Sequence, residues 1–76
     1  MAKNLLTYSA WEAAVRRVAN RRGFSAHLVD YEHCFRECHE KYISTSGQFD
    51  DPEDAVAGMI DDAAAGASLH RVAPLR

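Results

Sequence analysis

The sequence predicts a small all-α domain, a three-helix bundle, and three observations lead to this. The chain has 76 residues, a length at which one hydrophobic core and one domain are the most that can form. Its hydrophobic fraction of 47% is ordinary for a folded globular protein. Apolar residues recur at helical spacing in three segments, at about residues 10–22, 26–43 and 52–65.

The first predicted helix begins just before Ala10. Ser9 is followed three positions later by Glu12, which is the pattern of a capping box. Gly23 supplies the end, and Phe24 is positioned to fold back on the last turn as in a Schellman motif. The apolar stripe that we expect to face the core consists of Trp11, Ala14, Val15, Val18 and Ala19.

The second helix is predicted as the longest of the three. Ser25 can cap its N-terminus, and the breaker cluster at residues 44–47 predicts its end near Ile43. Its apolar side is expected to consist of Leu28, Tyr31, Phe35, Cys38 and Tyr42.

The third helix has the clearest start in the sequence. Asp51 can cap it and Pro52 suits the first helical position. Gly66 offers a stop or a kink. The tail from Leu69 to Arg76 fits either strand or coil, so a short extended C-terminal tail is one option. The predicted apolar stripe is Val56, Met59, Ile60, Ala63 and Ala67.

Two cysteines and two histidines cluster in the second helix and are of the types that bind zinc. Cys34 and Cys38 share a helix face, whereas His33 and His39 project in widely different directions, so the four cannot converge. Completing a site would need His70 or a second chain. We therefore predict free thiols, no metal and no cofactor, and keep a metal- or thiol-dependent activity at Cys34 and Cys38 as an alternative.

The sequence also argues against catalysis. It contains no glycine-rich phosphate loop, and its acidic residues do not follow the spacing of a calcium loop. A cysteine nucleophile needs a base within reach and a pocket, for which a helical domain of this size has little room. We predict that the protein is not an enzyme.

Part of the chain resembles the core of a helix-turn-helix, in residue type and spacing. The resemblance covers about residues 18–32 and implies a DNA-binding regulator. It departs from that pattern at Arg22 and Glu32, where apolar residues are usual, and the second helix exposes acids that phosphates would repel. Nucleic-acid binding is thus an alternative, and a disfavoured one. The residues that carry the resemblance are Val18, Ala19, Gly23, Phe24, Ser25 and Val29.

Charge is nearly balanced overall but segregated along the chain. Nine basic against eleven acidic residues give a net charge of −2, which is too small to drive binding to phosphates or anionic membranes. Such clusters solubilise helices and complement their dipoles; they could also form two docking surfaces. The basic candidates are Arg16, Arg17, Arg21 and Arg22. The acidic candidates are Asp50, Asp51, Asp54, Asp61 and Asp62.

These observations together favour a small non-enzymatic binding protein that docks on a protein or nucleoprotein complex as an inhibitor or adaptor. Small proteins of phages and mobile elements, including inhibitors of host CRISPR complexes, share this size and lack of chemistry. A core rich in alanine is thin, so a homodimer is also an option. No apolar run is long enough for a membrane span or a secretory signal, so we expect a cytoplasmic protein.

Overall fold

The computed structural model describes residues 4–72, with side chains up to Gly66. Helix α1 (Tyr8–Arg21) begins two residues before the predicted start. Its cap is Thr7, whose hydroxyl oxygen accepts a hydrogen bond from the backbone N–H of Ala10 at 3.3 Å. The predicted Ser9 cap is wrong, since Ser9 lies inside the helix that Thr7 caps. Glu12, which would complete the capping box, is bound by Arg16. The earlier start places the ring of Tyr8 on Trp11, with centroids 6.3 Å apart.

The end of α1 is the predicted Schellman motif. The N–H of Gly23 donates to the carbonyl of Asn20 at 3.2 Å, and the N–H of Phe24 donates to that of Ala19 at 2.7 Å. Gly23 has a φ of 72°, a backbone conformation that glycine adopts without steric cost. Phe24 folds back and is buried in the core.

The predicted second helix is two elements rather than one. A 3₁₀ segment (Ser25–Cys34) leads directly into helix α2 (Phe35–Ser44). The predicted Ser25 cap is also wrong, since the Ser25 hydroxyl donates to the side-chain oxygen of Asn20. With three residues per turn, the 3₁₀ segment places Leu28, Tyr31 and Cys34 on one side, and all three are at least half-buried.

Helix α3 (Pro52–Val72) begins at the predicted cap but continues beyond its predicted end. The Asp51 carboxylate accepts a hydrogen bond from the N–H of Asp54 at 2.8 Å. Gly66 does not stop the helix, and up to Val72 the predicted strand or coil is helix instead. The alanine-rich sequence around Gly66 favours helix strongly enough to accommodate one glycine. Residues 73–76, the rest of the predicted extended tail, lie outside the described part.

The described residues form an all-α three-helix bundle without strands, as predicted. Helix α1 contacts each of the other elements and packs most extensively on α3, whereas α3 makes only sparse contact with the 3₁₀ segment and α2. This packing leaves a gap between α3 and the second part of the chain. The core residues are Trp11, Val15, Val18, Ala19, Phe24, Leu28, Phe35, Tyr42, Ala55, Val56 and Met59.

Candidate functional site

The gap beside α3 is an open cleft of about 290 Å³. Its surface is mostly apolar, although two carboxylates belong to it. Tyr31, Cys34 and Cys38 form the side contributed by the 3₁₀ segment and α2. The opposite side comes from α3 and the residue before its cap: Asp50, Ala55, Gly58, Met59 and Asp62.

Asp50 is held in the cleft by its backbone. Its φ of 59° lies in the left-handed region, which aspartate tolerates better than most residues. Its carbonyl accepts a hydrogen bond from Trp11, and its N–H donates to Asp54 at 2.9 Å. Burial raises the pKa of the Asp50 carboxyl; Asp54 and Asp51 raise it further, while Lys41 lowers it. The cleft therefore contains a carboxylate that is partly withdrawn from water and has acidic neighbours.

Asp62 is the second carboxylate of the cleft and is exposed. Its Oδ2 accepts a hydrogen bond from the hydroxyl of Tyr31 at 3.0 Å, which links α3 to the 3₁₀ segment. At about 1.5 Å of rise per residue, Asp62 lies roughly 10 Å along α3 from Ala55. Since Asp50 precedes the helix, the two carboxylates flank the apolar lining of α3.

Gly58 provides room in this cleft. A Cβ atom built on it would meet no other atom within 4 Å, and no positive φ requires glycine there. In the interior of a helix glycine is less favourable than alanine by up to about 1 kcal/mol. Neither sterics nor backbone conformation explains this glycine, and its effect is to leave the cleft wider than any other residue would.

The two cysteines, which carry the thiol-dependent alternative, both line the cleft. Both are free thiols, as predicted, and half-buried. Burial, together with the nearby Asp50, raises the pKa of Cys38 to about 11, so this thiol is protonated at neutral pH and a poor nucleophile. Among the residues with described side chains, a range that excludes His70, no group of three or more His, Cys, Asp or Glu residues is arranged to hold a metal ion.

His39, considered above as a zinc ligand, is partly buried and packs against aromatic rings. Its Nε2 lies 3.0 Å from the carbonyl oxygen of Leu6 and within hydrogen-bond distance. Its ring contacts those of Tyr8, Trp11 and Tyr42, with centroids 5.5–5.7 Å apart. The imidazole thus anchors the segment before α1.

The structure divides the four predicted arginines into two pairs. Arg16 bonds Glu12 and Glu32 and lies over the ring of Phe35, at 5.5 Å from its centroid. Arg21 forms an ion pair with Glu53 of α3. Arg17 and Arg22 are exposed and have no partner among residues 4–66. The basic and acidic segments, separate in sequence, are therefore adjacent and partly neutralise each other.

The five predicted acids have different roles. Asp51 caps α3, and Asp54 accepts a hydrogen bond from the N–H of Asp50, so both stabilise the local structure at the start of α3. Asp50 and Asp62 both line the cleft, at opposite ends of its apolar surface on α3. Asp61 is exposed and has no partner within the described side chains.

Sequence reasoning missed the cleft itself, and with it Gly58, Met59 as a lining residue, and the pairing of Tyr31 with Asp62. One signal was available. Gly58 lies in the middle of the predicted third helix, where the alanines and the apolar stripe favour helix and a glycine does not.

The helix-turn-helix resemblance is matched only at the turn. The Gly23 corner is present, but the segment that would enter the DNA groove is 3₁₀ up to Cys34 rather than α-helical. Asp30 and Glu32 are exposed on it, where they would face phosphates. An α-helix that could enter the DNA groove as a recognition helix is therefore absent from residues 25–34.

Within residues 4–72, no helix combines the length and the apolar character that crossing a membrane requires. In comparisons with known proteins, no family model matches the chain, and neither a curated protein nor a solved structure does.

Proposed function

We propose that this protein is a small non-enzymatic binding protein that docks on a larger, cytoplasmic protein complex through the face containing the cleft. The observation that carries the proposal is the cleft itself: a mostly apolar surface with Asp50 and Asp62 in it, left open by the sparse packing of α3. An apolar surface bordered by carboxylates is complementary to a basic partner surface.

The ion pairs within the chain favour the acidic face over the arginines of α1 as the docking surface. Arg16 and Arg21 are held by carboxylates of this chain, and docking through them would have to break those pairs. Asp61, which precedes the cleft residue Asp62 on α3 but does not line the cleft, is exposed and unpaired among the described side chains. In that part of the chain Asp62 has bonded only one of its two oxygens, to Tyr31. These carboxylates are available to a cationic partner.

Inhibition by occupying a basic channel is the mode of action that we propose to test first. Complexes that hold nucleic acid do so in positively charged channels, and CRISPR effectors are one example. An acidic face can compete for such a channel without any chemistry. An adaptor would use the same face to join two proteins.

The test is affinity capture from a lysate of the source organism, with the full chain as bait. The acidic variant Asp61→Lys with Asp62→Lys reverses the charge of Asp62 in the cleft and that of its neighbour Asp61. The matched control, Arg17→Glu with Arg22→Glu, reverses two charges, one on α1 and one at the residue after it, that have no partner among the described side chains. We expect a captured protein to be lost with the acidic variant and retained with the control, and reconstitution from purified components to repeat this pattern.

Other outcomes would contradict the proposal. Loss with the arginine variant alone would transfer docking to α1, and equal capture by both variants would remove charge-guided docking. Salt-sensitive binding of the pure protein to random duplex DNA would favour the DNA-binding alternative. A mass twice 8.5 kDa by light scattering, lost with the acidic variant, would identify a second copy as the occupant of the face.

A further inference from the structure

We propose that the cleft binds the guanidinium side chain of an arginine presented by the partner protein. This inference rests on the proposed function and names the group that the docking face would recognise. It follows from the size of the cleft, the distribution of polarity within it and two residues whose presence costs the fold stability.

The size and polarity of the cleft suit one long cationic side chain. Its volume of about 290 Å³ is just below the range for small-molecule pockets, about 300–1,000 Å³. The apolar surfaces of Ala55 and Met59 can cover the methylene stem of an arginine, which buries readily while its charged end stays polar. Asp62 supplies the negative charge that the end of the side chain requires, and Asp50, at the other end of the apolar lining, adds to the negative potential of the cleft.

Arginine fits this arrangement better than lysine. A guanidinium is planar, is less strongly hydrated than an ammonium group and presents five donors in a fixed fork that matches carboxylates. One oxygen of Asp62 is already engaged by Tyr31, whose aromatic ring is a surface on which guanidinium groups stack. The mostly apolar lining of the cleft also favours a cation that loses its water easily.

Two lining residues are unfavourable for folding yet favourable for such a ligand. Gly58 lowers the helix propensity in the interior of α3, although no close neighbour requires so small a residue there. Asp50 keeps a carboxylate partly out of water, beside two further acids that are opposed by Lys41. Binding sites are where natural proteins accept costs of this kind, because the ligand requires what the fold alone would not.

The experiment is a titration of the ¹⁵N-labelled full chain with N-acetyl-arginine methylamide, followed by amide chemical shifts. We expect saturable shifts at Cys34, Gly58 and Asp62, with a dissociation constant on the order of 1 mM for so small a probe. N-acetyl-norleucine methylamide, which keeps the stem without the charge, should not saturate. The lysine analogue should bind at least about fivefold more weakly, because it lacks the planar fork.

Two variants separate a filled cleft from a damaged fold. Gly58→Leu places a side chain in the cleft and should weaken arginine binding at least about tenfold, as expected when a binding surface is occupied. Gly66→Leu makes the same change in the same helix outside the cleft lining and should bind as the unaltered protein does. Thermal unfolding followed by circular dichroism checks that both variants fold.

The inference is overturned if norleucine or lysine shifts the same amides with equal affinity, or if Gly58→Leu binds arginine normally. Its failure is distinguishable from that of the proposed function. Partner capture that depends on Asp61 and Asp62 but tolerates Gly58→Leu would keep the docking face and reject the arginine site. Arginine binding that requires Gly58, with capture indifferent to the acidic variant, would do the reverse.

Discussion

The indole Nε1–H of Trp11 donates a hydrogen bond to the backbone carbonyl of Asp50 at 2.9 Å. Trp11 is fully buried near the start of α1, and Asp50 is the residue before the cap of α3. This bond and the bond from the N–H of Asp50 to Asp54 hold Asp50 in its left-handed backbone conformation, from which it contributes a carboxylate to the cleft. Core packing and cleft geometry are thus coupled through one side chain.

Trp11→Phe should destabilise the protein and loosen the cleft at Asp50. The variant leaves the Asp50 carbonyl without its donor, which costs about 1–3 kcal/mol, and opens a cavity where the indole was. We expect a loss of about 2–4 kcal/mol in urea unfolding and faster hydrogen exchange of the Asp50 amide. A loss under 1 kcal/mol with unchanged exchange would contradict this coupling.

Asp50→Asn should stabilise the protein at pH 7. The folded-state pKa of Asp50 is raised, chiefly by burial and further by Asp54 and Asp51 against the opposing Lys41, so the folded state holds this proton to a higher pH than the unfolded chain does. Stability therefore falls as pH rises from the unfolded pKa through the raised one. Asparagine removes the charge and tolerates the left-handed backbone.

The gain should be less than about 1 kcal/mol, because the side chain is only half-buried. It should disappear below about pH 3.9, where aspartate is protonated in both states. Urea unfolding of both proteins at pH 7 and pH 3.5 measures it, with the exposed Asp61→Asn as the matched control. Equal gains at the two pH values would show that charge is not the cause.

Sequence alone could predict the elements whose signals are local. The Schellman end at Gly23 and the Asp51 cap each need only a few neighbouring residues, and both are confirmed. The predicted start of α1 was wrong because Thr7 and Ser9 are similar caps; in the structure Thr7 caps the helix, while Glu12 pairs with Arg16 and Tyr8 stacks on Trp11. Local patterns do not contain those contacts.

The candidate site depended on relationships that sequence patterns cannot express. The apolar stripe of the second helix fits both 3.6 and 3 residues per turn, because Leu28 and Tyr31 are three apart, so the 3₁₀ segment was not foreseen. The cleft exists because α3 packs on α1 and little on the rest. Asp50 and Asp62 were predicted as surface acids, but their common cleft is a property of that packing.

Gly58→Ala should stabilise the protein by about 0.5–1 kcal/mol. The change places a residue of higher helix propensity in the interior of α3, and its Cβ would meet no atom within 4 Å. The urea midpoint measures the gain, and Gly66→Ala on the same helix, also with an open Cβ position, should gain similarly. Destabilisation by Gly58→Ala would mean that this glycine serves the fold rather than the cleft.

Tyr42→Phe should destabilise the protein by about 1 kcal/mol. The Tyr42 hydroxyl accepts a hydrogen bond from the N–H of Leu6 at 3.0 Å, in a part-buried site that ties the segment before α1 to α2. Hydrogen exchange at Leu6 should accelerate. Tyr31→Phe is the control, since its bond to Asp62 is exposed and should contribute less than about 0.5 kcal/mol. Equal losses from both variants would contradict this difference.

Cys38 should alkylate slowly at neutral pH and accelerate in alkali. Its pKa is raised to about 11, first by burial and then by the charge of Asp50, whereas an unperturbed thiol titrates near 8.5. In the Cys34→Ser variant, the rate with iodoacetamide should rise about tenfold per pH unit between pH 7 and pH 10, because only the thiolate reacts. Circular dichroism at each pH confirms that the chain is folded.

A rate that levels off near pH 8.5 would show an ordinary thiol and favour the thiol-dependent alternative. Repeating the series in Asp50→Asn assigns the second cause, since removing that carboxylate should speed the reaction throughout the range.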